Sequence, residues 1–149
     1  MRIIIQRVSQ ASVTIDGVIS GQINQGFLLL IGIEAEDTQE DADWLVGKVS
    51  QMRIFSDENG KMNRSIQEVN GELLVISQFT LFASTKKGNR PSFIKAARPE
   101  IAIPLYEYLI QAFRQLGITT QTGEFGADMK VALVNDGPVT ISIDSKNKE

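Results

Sequence analysis

The 149-residue chain contains no histidine and no cysteine. The first absence rules out Ser-His-Asp and Cys-His nucleophile systems; together they remove the common zinc sites. Lack of cysteine also means no disulfide framework, which suits a cytoplasmic protein. No apolar run approaches the roughly 20 residues needed to span a bilayer, so no membrane partner is expected. The opening residues MRIIIQRVSQ enter a strand pattern without the apolar block and cleavage site of a secretory signal. Any chemistry must therefore come from carboxylates, lysine, tyrosine, hydroxyls, backbone groups or the substrate itself. The net charge of −3 argues weakly against broad affinity for nucleic acid, although a local patch can override that average.

What is present is a core-forming chain, 42% hydrophobic, of a size for one domain over 1–149. MRIIIQRV alternates as a strand, ASVTI and VISGQI flank an Asp16-Gly17 corner, and GFLLLIGI is a continuous apolar run of the kind found in buried strands. Thr38 reads as an N-cap with Glu40 and Asp41 in the first turn. Ala42, Leu45, Val46, Val49 and Met52 then follow at helical spacing, predicting a helix over 39–52. RIF is a short strand, SDENG a turn, and GELLVISQFTLFAS the longest strand signal. Pro104 is expected in the first turn of a second helix, with a stripe of Leu105, Leu109, Ala112, Phe113 and Leu116 and Gly117 as its C-terminal stop. Two further strands and a polar tail, 145–149, close the chain. The pattern predicts one α+β domain in which mixed or antiparallel sheets curl into a barrel-like core with two helices outside.

The stretch VALVNDGPVTISID carries a puzzle. Val131, Leu133, Val139, Ile141 and Ile143 recur at period two, and an Asn-Asp-Gly corner between them would already make a hairpin. Pro138 adds a cost, since it removes a ladder donor and restricts Gly137. Base rates favour a trans turn proline. The sharper reading is a cis bond whose two neighbouring carbonyls accept from a substrate amine, beside a Gly137 with no side chain to keep a ligand away.

Two further stretches stand out. SQFT, residues 77–80, interrupts an apolar strand with hydroxyls and an amide; it reads either as a wetted strand edge or as a polar wall of a pocket. Between 86 and 98, KKGNRPSFIKAAR holds Lys86, Lys87, Arg90, Lys95 and Arg98 and no acid, leaving ten bases against eighteen acids elsewhere. Such a strip is either a solvated loop or a phosphate-contacting patch, which adds affinity without reading sequence.

Taken in order, MRIIIQRVSQASVTIDG, RIFSDENGKMN, ISQFTLFA, KKGNRPSF, GEFGADM and LVNDGPVTI resemble the D-aminoacyl-tRNA deacylase family, collinearly from residue 1 to about 144. The resemblance implies a homodimer with active sites at the subunit interface; no cofactor is expected, and no ligand cluster in the sequence suggests a metal. It implies that Gly137 and Pro138 form a cis motif that enters the partner's pocket, binds the aminoacyl amine and rejects L-amino acids. Ser77, Gln78, Phe79 and Thr80 would line the opposite wall at the ester, Arg7 would brace the Gly-Pro loop, and Phe125 and Met129 would lie near the substrate end. Lys86, Lys87 and Arg90 would meet tRNA, and Glu124, in GEFGADM, departs from the basic or neutral residue expected at its position. The implied reaction is hydrolysis of D-aminoacyl-tRNA and glycyl-tRNA as a proofreading step. Substrate assistance from the ribose hydroxyl ranks above Thr80 as nucleophile, because the sequence offers no base to activate it. The alternatives are a non-catalytic RNA-binding module and an editing domain for another misacylated tRNA.

Overall fold

Six strands build one curled sheet in the structure, a computed structural model describing residues 1–149. β1 (Arg2–Ile15), β2 (Val18–Ile23) and β3 (Gly26–Gly32) are antiparallel neighbours; β3 then pairs in parallel with β6 (Glu72–Ser77), and β6 in parallel with β7 (Thr120–Thr122). β8 (Lys130–Asp144) runs antiparallel along β1. β2 swings back toward β7: a side chain at Gly21 would come within 2.8 Å of the Thr122 carbonyl, so only glycine lets the sheet come this near to closing. β4 (Phe55–Ser56) and β5 (Met62–Arg64) form a separate hairpin around the expected SDENG turn.

The sheet has two apolar faces, which is why β3 reads as an unbroken apolar run. Val8, Val13, Leu28, Leu74 and Ile76 fill its concave side. On the other side, Ile3, Ile5, Phe27, Leu29, Leu73 and Val75 meet α1 (Gln39–Gln51) and α2 (Pro99–Gln115). Thr38 caps α1 as expected, its amide donating to Asp41 Oδ2 at 2.8 Å. No helix of the protein is long and apolar enough to cross a membrane.

The structure departs from the sequence expectations at four places. The strand predicted from 71 to 84 ends at Ser77, and Phe79–Phe82 wind into a 3-10 turn. The Gln78 amide still donates to Ile31, but β3 stops at Gly32 and leaves further residues without a ladder partner. SQFT is thus a strand end plus a turn, and its side chains do not alternate between two sheet faces.

α2 starts a turn earlier than expected, at Pro99, and Pro104 lies inside it. Pro99 takes the N-terminal position where a missing amide costs nothing, whereas Pro104, further in, gives up the one backbone bond its amide would have made to Glu100. Gly117 ends the helix at φ +79° as expected, whereas Leu116 is exposed and the buried stripe instead includes Ala102, Tyr106 and Ile110. The third departure concerns NDGP. β8 is one strand, and between the pairs Gln6–Thr140 and Val8–Asn135 a single β1 residue, Arg7, faces residues 136–139. The motif is therefore a wide bulge within a strand. Finally, the tail folds back: the Ser145 amide donates to the Met1 carbonyl at 2.9 Å, and Lys146 Nζ lies 3.0 Å from Asp41 Oδ2.

Candidate active site

A groove of about 310 Å³ opens where β6 ends. Ile76, Ser77, Gln78 and Phe79 form one wall, and Phe125, Ala127, Asp128, Met129 and Val131 the other. The structure brings together five of the expected site residues here. Ser77 and Gln78 are half-buried, and the Phe79 ring is 55% exposed. Thr80, also exposed, accepts a hydrogen bond at its hydroxyl from the Gln78 side-chain Nε2. No histidine, lysine or carboxylate hydrogen-bonds the Thr80 hydroxyl, so nothing in contact is placed to activate it as a nucleophile.

Two backbone donors remain. The 3-10 turn begins at Phe79, so its first amides have no intrahelical acceptor. The turn and loop hydrogen bonds of the chain use the amides of Gln78, Leu81 and Ala83, and none uses Phe79 or Thr80. Two adjacent N–H groups at the edge of a groove can stabilise an oxyanion.

The groove is held from behind by α2. The buried Tyr106 hydroxyl donates to the Val75 carbonyl at 2.8 Å, two residues before Ser77. Burial pushes its pKa well above the usual phenol range, so it stays a donor. The Tyr106 ring also packs edge-on against Phe125 at 5.8 Å. Asp128 is not among the site residues expected from the sequence, although it falls within GEFGADM. The residue lines the groove, and its carboxylate, largely in solvent, pairs with Lys130 Nζ at 3.1 Å. Glu124 lines a wider cleft with Tyr106, Arg114 and Phe125, to which no residue of the basic strip contributes.

Gly137 and Pro138 do not line this groove. Residues 136–138 are exposed, the Gly137–Pro138 peptide is cis, and Gly137 has φ +135°. Arg7 sits under them, with Nε donating to the Asp136 carbonyl at 3.0 Å and Nη1 to the Ile54 carbonyl at 2.5 Å. Across the bulge, the Val139 amide donates to Asn135 Oδ1 at 3.2 Å, and Asn135 Nδ2 donates to Thr140 Oγ1 at 3.0 Å. A Cβ on Gly137 would lie 2.8 Å from Val139 Cγ2 and 2.9 Å from Arg7 Nη2.

A second concavity, about 300 Å³, is lined by Ser84, Lys86, Lys87, Arg90, Ser92, Ile94 and Lys95. The bridge between Ser84 and Ser92 closes its loop. None of its four cations has an ion-pair partner in the chain, whereas Arg2, Arg64, Lys130 and Lys146 all do. Phe93 ties this loop to the groove through an edge-on contact with Phe79 at 5.1 Å.

Fold and site together define a curled α+β domain with free backbone donors in a groove, no activated side-chain nucleophile, and an unneutralised basic cup beside it. The family model described as D-Tyr-tRNA(Tyr) deacylase matches residues 4–144, and the chain belongs to that family. Proteins named D-aminoacyl-tRNA deacylase from Flavobacterium johnsoniae and Phocaeicola vulgatus are 63% and 64% identical to it over 150 residues, each covering all of both chains. Among solved structures, the c-Myc DNA unwinding element binding protein matches with a TM-score of 0.90 and 38% identity over 97% of this chain and 98% of that one. A probable eukaryotic D-amino acid tRNA deacylase shares the fold at a TM-score of 0.80 and 17% identity, over 95% and 98% of the two chains.

Proposed function

We propose that this chain hydrolyses the ester of D-aminoacyl-tRNA, and of glycyl-tRNA, in the cytoplasm, as a homodimer in which the Gly137-Pro138 bulge of one protomer faces the groove of the other. The observation that carries this reading is the pair of unengaged amide donors at Phe79, on the wall of a groove without a nucleophile–base pair, and at Thr80 next to it. An activated ester needs little more than orientation and a place for the developing negative charge. Water adds to the ester carbonyl carbon while the Phe79 and Thr80 amides hold the oxyanion. The bond to the ribose oxygen then breaks, and the proton released by the water ends on that oxygen. The neighbouring ribose hydroxyl is within reach of both steps and takes the part that a side-chain base plays elsewhere.

Selection falls to the bulge. The carbonyls of Gly137 and Pro138 accept from the substrate's ammonium, and an L side chain is directed onto the bulge backbone. The exposure of residues 136–138, the absence of a Cβ at Gly137 and the bracing by Arg7 and Asn135 support this role. Phe125 and Met129 border the amino-acid end of the groove. Lys86, Lys87 and Arg90 take backbone phosphates of the tRNA, a contact that positions the substrate without inspecting the amino acid.

The test is to incubate the protein with D- and L-tyrosyl-tRNA and follow ester loss. Hydrolysis of the D-ester at least about a hundredfold faster than the L-ester is expected, a difference of about 2.7 kcal/mol in barrier. Equal rates would remove the selective role of the bulge. A second reading, nucleic-acid binding without catalysis, draws on the basic cup and on the solved relative named for DNA binding. Tight tRNA binding with no loss of either ester would select it.

A further inference from the structure

Arg2 opens β1 and stands in the sheet between Gly32 of β3 and Asp144 of β8. Its guanidinium reaches out of the sheet to three groups. Nε donates to Asp144 Oδ2 at 2.9 Å, Nη1 donates to the Leu81 carbonyl at 3.0 Å, and the guanidinium carbon lies 4.5 Å above the Phe82 ring. Leu81 and Phe82 are the last two residues of the 3-10 turn whose first two are Phe79 and Thr80.

A four-residue 3-10 turn has little stability of its own, so its orientation is set by what it rests on. Gly32 lies beneath it: a Cβ there would come within 2.9 Å of Leu81 Cβ and 3.2 Å of both the Gln78 carbonyl and Phe82 Cδ2. The Gln78 amide fixes the near end through Ile31 at 2.7 Å. Only Arg2 donates from a side chain to the far end, and its positive charge sits at the carbonyl end of the turn, where the turn's own dipole favours a cation. Arg2 does not line the groove.

We infer that Arg2, oriented by Asp144, is a positioning residue for the reaction: it holds the 3-10 turn so that the Phe79 amide on the groove wall and the Thr80 amide beside it keep their place. This rests on the hydrolytic role given to those amides above. Oxyanion donors work only when held to within about half an ångström of their productive position, so loosening the far end weakens them at the near end.

The test compares Arg2→Met, which keeps most of the aliphatic stem, with Arg2→Lys and Asp144→Asn. With D-tyrosyl-tRNA, Arg2→Met is expected to lower kcat about tenfold with KM within about twofold. Arg2→Lys should recover part of the loss, and Asp144→Asn should show a smaller loss of the same kind. In parallel, amide hydrogen exchange at Leu81 and Ala83, which donate within the turn to Gln78 and Thr80, should accelerate about tenfold in Arg2→Met while amides of α1 keep their protection. The exchange measurement needs no substrate. A wild-type protein that leaves the D-ester intact would therefore overturn the hydrolytic reading alone, and the clasp would be judged by exchange. Unchanged exchange at Leu81 and Ala83 would overturn the clasp. So would a kcat loss matched by equal loss of protection in α1, which marks general unfolding. Should Arg2→Met fail to fold, Arg2→Lys and Asp144→Asn supply the same comparison.

Discussion

The groove at the end of β6 and the bulge in β8 lie on one sheet, yet their polar groups are treated in opposite ways. At the groove's edge, the adjacent Phe79 and Thr80 amides have no acceptor in the turn, and a phenylalanine ring is half in water. In the bulge, the polar groups are tied down: Arg7 holds the Asp136 carbonyl, Asn135 holds the Val139 amide, and Asn135 in turn is fixed by Thr140. Free donors are what a reacting group must find, and a locked backbone is what a steric gauge requires. The free donors and the locked backbone therefore occupy separate regions of one chain, and the proposed dimer is what would bring them together.

The largest effect should come from the substrate side of the groove. A D-tyrosyl-tRNA whose terminal adenosine lacks the 2′-OH should bind normally but be cleaved about a thousandfold or more slowly, since the intramolecular assistant is gone. Thr80→Ala should cost only about ten- to a hundredfold, or 1.4 to 2.7 kcal/mol of barrier. Rapid cleavage of the deoxy substrate with a dead Thr80→Ala enzyme would restore the hydroxyl as nucleophile.

Damage to the bulge should read differently. Gly137→Ala forces a Cβ against Val139 and Arg7 at a backbone angle that L-residues rarely adopt, a strain of about 1–3 kcal/mol. The D/L rate ratio should fall by about tenfold. An unchanged ratio would show that the bulge is not the gauge.

A milder effect is expected at the basic cup. Reversing charge at Lys86, Lys87 and Arg90 should weaken D- and L-aminoacyl-tRNA alike and lower the slope of log affinity against log salt by about two to three, with the D/L ratio intact. Wild-type affinity at low salt would make the strip a solvated loop.

The smallest effect concerns a region outside both sites. Burial raises the Asp41 pKa, but hydrogen bonds from Ser145, the Thr38 amide and Lys146, with the Lys146 charge, more than reverse this and hold it far below the usual carboxylate range. The folded protein therefore takes up this proton less readily than the unfolded chain. Its stabilising contribution, about 1–2 kcal/mol, is present above the ordinary carboxylate range and is lost as pH falls through and below it. Urea midpoints for Asp41→Asn should lie below wild type at pH 7, and the gap should have begun to narrow at pH 3 and shrink further at still lower pH. A constant gap at both pH values would dismiss the linkage.

Much of this architecture was legible because it follows periodicity. The alternation of β8, the two-faced burial of β3, Thr38 as a cap and Gly117 as a stop are local rules that the packing obeys. The 3-10 turn was not legible: Phe79, Leu81 and Phe82 look like strand residues, and they leave the strand only because the partner β3 ends at Gly32. That is information about a distant segment. Likewise, NDGP has the composition of a hairpin turn, and only the uninterrupted partner β1 makes it a bulge. Chemical character in the groove came from the residue types of SQFT, but the donors themselves are backbone amides that no side-chain pattern could announce. Asp128 escaped because its place on the wall depends on how the 123–129 loop returns past Met129.

Whether groove and bulge from two copies form one site can be measured by complementation. Phe79→Pro removes one of the groove's two donors and leaves the bulge intact, while Gly137→Val crowds the bulge and leaves the groove intact. Each variant alone should be weakly active, the first by about a hundred- to a thousandfold. Co-refolded in equal amounts, half of the dimers are mixed and each has one undamaged composite site, so the account predicts about a quarter of wild-type activity toward D-tyrosyl-tRNA. A mixture no more active than the average of the two variants would place groove and bulge in separate roles and contradict the account.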